Sequence, residues 1–347
     1  MQTDKKQEIL DYLAKLGPSA SKQLCEELGI SRQALNLHMR ELINADRVIK
    51  TGATRAARYY LSESGPKPEK FNKTVLLPNL DESVIYDDMA TTLNLRSVLS
   101  SDQESIIRYG FTEMLNNAID HSEADQCDIS VSLDAAKIEF TIRDRGIGVF
   151  HSIFSRFSLE DEHAAMIELI KGKTTTMPDA HSGEGIFFTS HAADKFSLRS
   201  HKIQLLWDKF KDDIFVSQPR YSKGTLVHFI LSRSSRTKLE TVFARFAPEE
   251  FDFEFSKTSI LIKLLKPEYI SRSEAKRLVV NLEKFREVEL NFKQVSQLGQ
   301  GFADEVFRVF ANKNPATVLK ATNTSSTIQA MISHAINSAK EPLINSG

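Results

Sequence analysis

The sequence predicts a multidomain α+β protein built from three units. Three observations lead there. The 347 residues exceed what one ordinary domain needs and suit two or three. A short helical, locally basic stretch with two strands opens the chain. A polar Pro-containing stretch then separates it from a longer region where strands alternate with amphipathic helices. The expected division is residues 1–62, a linker over 63–80, a central unit over 81–235 and a C-terminal unit over 245–340.

Bulk composition narrows the class. Charged residues make up 26% and hydrophobic ones 41%, a globular mix, and the net charge is −1. No global field steers the chain to nucleic acid or membrane, so any DNA argument rests on local charge. The two cysteines, Cys25 and Cys127, form no metal or redox pattern and fit a reducing cytoplasm, the expected location. The N-terminus leads into an amphipathic helix rather than an apolar signal core, and no apolar run approaches the ~20 residues that span a bilayer. No membrane partner is expected.

In the first unit, Ile9, Leu10, Leu13 and Leu16 recur at helical spacing until Gly17-Pro18. Ser19 and Ser21 are candidate caps for a second helix carrying Leu24, Cys25 and Leu28. Gly29 suits a left-handed turn. Ser31 caps a third helix whose apolar set is Ala34, Leu35, Leu37, Met39, Leu42 and Ile43. Its other face holds Arg32, Gln33, Asn36 and Arg40, side chains able to reach base edges and phosphates from a major groove. Two short strands, 46–52 and 57–61, then flank a glycine turn carrying Arg55 and Arg58. From Gly29 to Leu61 six basic residues stand against two acidic ones, a local supply of phosphate contacts. This unit resembles the winged helix-turn-helix domains of bacterial transcriptional regulators. The resemblance implies double-stranded DNA as partner, with Ser31, Arg32, Gln33, Asn36, Arg40, Arg55 and Arg58 at the interface. A scaffold with solvated charges remains the alternative.

Three segments dominate the central unit: Glu113-Met-Leu-Asn-Asn117-Ala-Ile-Asp-His121, Asp144-Arg-Gly146-Ile-Gly148 and Gly183-Glu-Gly185. Ile106, Ile107, Gly110, Phe111, Met114, Leu115 and Ala118 form a helical apolar stripe, and Glu113 and Asn117, four apart, share one side of that helix. A carboxamide oxygen can ligate Mg2+, and a carboxylate can accept a proton from an attacking water or hydroxyl. Strands over 128–133 and 137–142 follow, the second running into Asp144, where a carboxylate can take a hydrogen bond from an exocyclic amine. Gly146 and Gly148 permit close backbone approach, although the segment also reads as a hairpin turn. The polar stretch from Lys171 to Gly183 reads as a mobile lid, with Lys173 a candidate phosphate contact. Gly183 and Gly185 open another helix, whose amides can hold phosphates. A closing strand over 224–231 offers the Thr225 hydroxyl. Gly172-Lys173-Thr174 lacks the leading glycine of a P-loop, and His121, His181 and His191 are too scattered for a zinc site.

Together these segments resemble the boxes of the GHKL (Bergerat-fold) ATPase superfamily, over about residues 81 to 232. That group includes histidine kinases, anti-sigma-factor serine kinases, type II topoisomerases and MutL-like proteins. The resemblance implies a GHKL α/β sandwich binding ATP (or ADP) and Mg2+. Glu113 becomes the catalytic base and Asn117 the magnesium ligand. Asp144 reads adenine, Gly146 and Gly148 shape the base pocket, Gly183 and Gly185 anchor the phosphates, and Thr225 supports the base. A DNA-binding unit stands where a sensor histidine kinase carries its phosphoacceptor helix, which disfavours that class.

The C-terminal unit alternates strands and helices. Strands are expected over 259–265, 288–292 and 316–321, and helices over 271–285, 301–310 and 324–338. It resembles the STAS fold of anti-sigma-factor antagonists, a small α/β domain. The phosphorylated serine of that family corresponds to Gln300, which has no hydroxyl, so a docking module or a structural cap is implied rather than a phospho-switch. The whole order resembles bacterial ATP-binding regulatory proteins. It leads to the expectation of a transcriptional regulator switched by nucleotide, with a protein partner at the STAS-like unit and a homodimer as further partners. Two alternatives remain open. One is an anti-sigma-type serine/threonine kinase acting on a separate partner, and the other is an ATPase in a DNA-linked defence system.

Overall fold

The computed structural model describes residues 4–45, 47–51, 57–62, 68–173, 183–249, 254–265 and 270–338. Arg55 and the stretch 174–182 of the expected lid lie outside the described residues, as does most of the polar part of the linker.

The N-terminal unit holds α1 (Lys5–Leu16), α2 (Ser21–Leu28) and α3 (Arg32–Asn44), followed by β1 (Val48–Thr51) and β2 (Arg58–Leu61). Asp4 caps α1, Gly29 ends α2 at φ 61°, and Ser31 Oγ accepts from Ala34 N at the start of α3. Neither expected serine caps α2. Its N-cap is Ala20 with no side-chain bond, and Ser19 instead exchanges both backbone hydrogen bonds with Tyr59, adding a bridge to the β1–β2 pair. Ile9, Leu13, Leu24, Leu35, Met39 and Tyr59 close a core of their own. Leu37, expected inward, is 48% exposed beside Arg32, Gln33, Asn36 and Arg40, because position 37 falls on the opposite side of α3 from Leu35, Met39 and Leu42.

Part of the stretch read as a linker is structured. β3 (Glu69–Leu76) pairs antiparallel with β4 (Gln126–Leu133) along its length and forms the edge of the central sheet. Its only core-facing apolar side chains are Phe71 and Val75, so its alternation is weak. Next come α4 (Glu82–Thr92), α5 (Leu95–Val98) and the long α6 (Ser101–His121), which begins with a Ser100/Gln103 capping box. β5 (Lys137–Asp144), α7 (Val149–Arg156), α8 (Glu162–Lys171) and α9 (Gly185–Ala192) follow. β6 (Lys195–His201), β7 (Ile203–Asp208), β8 (Asp213–Ser217) and β9 (Ser222–Ser232) complete a seven-stranded antiparallel sheet of order β3-β4-β5-β9-β6-β7-β8. α6 lies on β5 and β9. Gly110 lets it approach, since a Cβ there would sit 3.2 Å from Phe229 and from Thr189. Phe140 stacks on Phe229 at 4.8 Å and meets Phe111 edge-on at 5.6 Å.

Helix α10 (Leu239–Phe246) leads to the C-terminal unit: β10 (Lys257–Leu261), α11 (Arg272–Val279), β11 (Glu287–Asn291), α12 (Gln300–Asp304), α13 (Ala311–Lys313), β12 (Val318–Thr322) and α14 (Ser326–Ser338). The three strands are parallel in the order β10-β11-β12, as a βαβ sequence requires. The expected strand and helix ends are shorter than the sequence pattern: Ile262–Leu264 and Leu282–Lys284 are 3-10 turns. Between α12 and α13 the helix widens to π form over Glu305–Phe310.

The central and C-terminal units share one continuous hydrophobic core. Its polar centre is Lys171, 1% exposed at the end of α8. The ammonium pairs with Glu168 and donates to Arg277 O (3.2 Å) and Val280 O (2.9 Å), carbonyls at the end of α11. Asn281 Nδ2 donates to the other oxygen of Glu168 at 3.0 Å. Burial pushes the Lys171 ammonium below the usual lysine range, and Glu168 opposes that shift. A second grip forms where Lys263 pairs with Asp213 at 2.6 Å and Lys293 donates to the carbonyls of Lys211 and Asp212.

Lys171→Met leaves Glu168 buried without its cation and two helix-end carbonyls without a donor. The expected cost is about 3–5 kcal/mol, read as a lowered thermal midpoint, and an unchanged midpoint would show that the pair does not hold the two units together.

Candidate functional site

The sheet row Ile142–Val227–Leu198, paired across β5, β9 and β6, forms the apolar floor of a cavity of about 280 Å³. α6 supplies one wall through Glu113, Asn117, Ala118 and His121, α7 another through Val149, Ser152 and Ile153, and the start of α9 a third through Gly183, Glu184 and Gly185. Six expected site residues therefore meet in one place: Glu113, Asn117, Asp144, Gly183, Gly185 and Thr225.

Asp144 ends β5 and is 4% exposed. Its Oδ1 accepts from Gly146 N at 2.9 Å and from Thr225 N at 3.1 Å. Burial raises its pKa above the usual carboxylate value, and the amides of Gly146 and Thr225 pull it partly back. Thr225 Oγ1 accepts from Val149 N at 3.0 Å, tying β9 to the start of α7.

Gly146 and Gly148 do not line the cavity but permit its shape. A Cβ on Gly146 would lie 1.7 Å from Ser122 O, and one on Gly148 (φ 84°) would lie 2.4 Å from Ser200 Oγ. Gly224, which the sequence gave no role, has the same function: at φ 79° its Cβ would meet Asp144 O at 2.3 Å. The signal was available, because a glycine immediately before Thr225 marks a close backbone approach.

At the other end of the cavity, Gly185 brings the first turn of α9 against α6, where a Cβ would sit 2.1 Å from Glu113 Oε2. Glu113 and Glu184 both lie near the Tyr109 phenol, and together with burial they push its pKa upward. The Asn117 side-chain nitrogen is buried without a hydrogen-bond partner. A carboxamide so placed can present its oxygen after rotation about χ2.

Other expected residues lie elsewhere. Lys173 Nζ donates to Lys284 O (3.1 Å) and Glu254 (3.3 Å) and sits over the rings of Phe255 and Phe285, so it faces the C-terminal unit rather than the cavity. His191 packs between Phe187 and Phe246 with Nδ1 bonded to Phe187 O, and burial depresses its pKa to about 4, leaving it neutral. Cys127 is buried with its thiol pushed up to about 12, which removes it as a nucleophile at neutral pH. On the N-terminal unit Ser31, Arg32, Gln33, Asn36, Arg40 and Arg58 are all exposed. Gln300 is exposed at the first turn of α12.

Three comparisons with family models agree with this layout. A winged helix-turn-helix DNA-binding model matches residues 2–49, spanning α1 to α3. A histidine kinase-like ATPase domain matches residues 86–206, a span that includes Glu113, Asn117, Asp144 and Gly185. A STAS-like domain of unknown function matches residues 274–329. No curated protein matches the chain. A histidine kinase-like ATPase domain implies nucleotide binding, and among the described residues no helix is long and apolar enough to cross a membrane. In family terms the chain is a winged helix-turn-helix, a histidine kinase-like ATPase domain and a STAS-like domain, in that order.

Proposed function

We propose that this chain is an ATP-binding, DNA-binding transcriptional regulator whose central unit acts as a nucleotide-dependent switch. The observation that carries the proposal is the buried Asp144 carboxylate, held by two backbone amides at the edge of a cavity with an apolar floor. A carboxylate without a cationic partner in that setting suits an exocyclic amine donor, as on adenine. The apolar floor suits the faces of a purine ring. At the opposite end, the first amides of α9 suit phosphates. Glu113 and Glu184 there would repel bare phosphates, so a divalent cation fits between them and the nucleotide. Asn117 is the residue to ligate Mg2+, and the unpartnered carboxamide supports that role. Mg2+, when bound, would neutralise phosphate charge.

The exposed Arg32, Gln33, Asn36 and Arg40 on α3, with Arg58 on β2, support a major-groove reading of double-stranded DNA. A switch further needs one nucleotide state to be bound more tightly than another. The start of α9 supports a route. Phe187 and Phe188, two and three residues after Gly185, pack on Phe243, Phe246 and Phe255 at ring distances of 4.4–5.0 Å. A shift of α9 onto phosphates is therefore felt at α10 and at the C-terminal unit. There the STAS-like domain is proposed to dock a protein partner.

A second reading follows from Glu113 alone. Its place in the wall suits a general base for hydrolysis, or for phosphoryl transfer to the hydroxyl of a separate protein.

Asp144→Asn should abolish ATP binding by calorimetry. The asparagine oxygen can still accept from Gly146 N and Thr225 N, but its amide then opposes the base amine donor. The raised pKa of Asp144 means that the charged form is less favourable folded than unfolded, so the unliganded variant should melt no lower than wild type. Full ATP affinity in this variant would overturn the pocket assignment. ATP should also change the affinity of the full chain for DNA in a mobility-shift titration, and identical DNA binding with and without nucleotide would sink the switch. With γ-labelled ATP, the second reading requires label release or transfer that Glu113→Gln reduces by about 100-fold or more; equal rates in both proteins remove it.

A further inference from the structure

The row of residues next to the cavity floor is polar. On the core face of the sheet, Asp144 of β5, Thr225 of β9 and Ser200 of β6 stand side by side. Thr225 N donates to Asp144, and Ser200 is the direct partner of Thr225 in the β6–β9 ladder. Two members of this row are already satisfied. The third is not: Ser200 is 0% exposed, and its hydroxyl has no hydrogen-bond partner.

Such a hydroxyl is costly, since a buried polar group left unpaired loses about 1–3 kcal/mol of hydration without return. Other hydroxyls in the molecule share the condition, including those of Tyr86, Thr189 and Ser256, but none of them lies on the row with Asp144. The local backbone also departs from regular geometry at this point. The β6–β9 register shifts between Ser200 and His201, and His201 takes φ 52°. Irregular pairing of this kind re-aims a side chain, and a left-handed non-glycine residue carries a conformational cost. Gly148 opens the space in front of the hydroxyl, because any Cβ there would overlap Ser200 Oγ. His201 Nδ1 is tied to Glu162 at 2.7 Å, which holds that residue in place behind the row.

We propose that Ser200 is a base-recognition residue of the nucleotide site, completing a row of three polar groups across β5, β9 and β6. Its hydroxyl gains a partner when a purine base fills the cavity, either from the edge of the base or from a water trapped between that edge and the row. This rests on the nucleotide reading above. In that reading Asp144 accepts from the exocyclic amine. Ser200 adds a group that is both donor and acceptor, so it suits a base edge where donor and acceptor alternate. A serine that only filled space would have no reason to be a serine, since alanine at the same place removes an unpaired hydroxyl at no loss of contacts.

The unpaired state gives an experiment with opposite signs. Ser200→Ala, in the full chain without nucleotide, should melt at the same temperature as wild type or higher. With ATP and Mg2+ the same variant should bind more weakly, by on the order of two- to ten-fold, the worth of one hydrogen bond. The ATP-to-GTP affinity ratio should narrow by the same factor, and Ser200→Thr, which keeps the hydroxyl, should restore part of it. A purely structural role predicts instead a lower melting point without nucleotide and an unchanged ratio, and that result overturns the proposal. A wild-type chain that binds no purine nucleotide removes the site itself. A wild type that prefers ATP beside an alanine variant of equal preference overturns Ser200 alone.

Discussion

A carboxylate kept from water at the end of β5 dictates the geometry around it. Asp144 can be buried only because two backbone amides meet its oxygen, and those amides can reach it only where no side chain intervenes. Gly146 lies against the carbonyl of Ser122, and Gly224 lies against the carbonyl of Asp144. The end of α6, the start of α7 and the start of β9 are thereby brought within one or two atoms of each other. The Val149 amide on Thr225 adds the last tie. Without those contacts the apolar row of Ile142, Val227 and Leu198 would still be a sheet surface, but it would lack a polar rim to orient anything placed on it.

A second constraint acts at the far side of the cavity. α8 ends at Lys171, whose charge is spent on the carbonyls that close α11. Thr258 donates to the Lys171 carbonyl at 2.7 Å, and Lys173 reaches Lys284 and Glu254. Every polar group at this corner thus belongs to two units at once. The aromatic side chains behave alike: Phe187 and Phe188 of α9 and Phe255 and Phe285 near the C-terminal strands form one contiguous packing.

Much of this could be read from the sequence, and the parts that could not share a cause. Glu113 with Asn117, Asp144, Gly185 and Thr225 were legible because each chemical role demands a particular residue at a particular step along a helix or strand end. The first three helices were legible from Ile9, Leu13, Leu24, Leu35 and Met39 at helical spacing. Strand β3 was not, since an edge strand with only Phe71 and Val75 inward carries almost no periodic signal. Lys173 and Lys171 look alike in sequence, both polar residues beside a glycine. Only the folded chain shows that both turn toward the C-terminal unit, a choice fixed by partners more than eighty residues away. Ser19 illustrates the same limit, because its backbone bonds to Tyr59 displace the capping role that local sequence suggests.

The shared core also changes what counts as a piece of this protein. Sequence motifs divide the chain into three, but hydrophobic contact divides the described residues into two. A cut near residue 62 separates surfaces that were never joined by a core. A cut between residues 235 and 245 instead strips the cover from Phe187, Phe188 and Lys171 and leaves each half with a raw apolar face. Recombination that exchanged the last third of the chain for another domain would have to rebuild that face as well. The ATPase-like and STAS-like parts are therefore heritable as one block, with the winged helix the only freely exchangeable module.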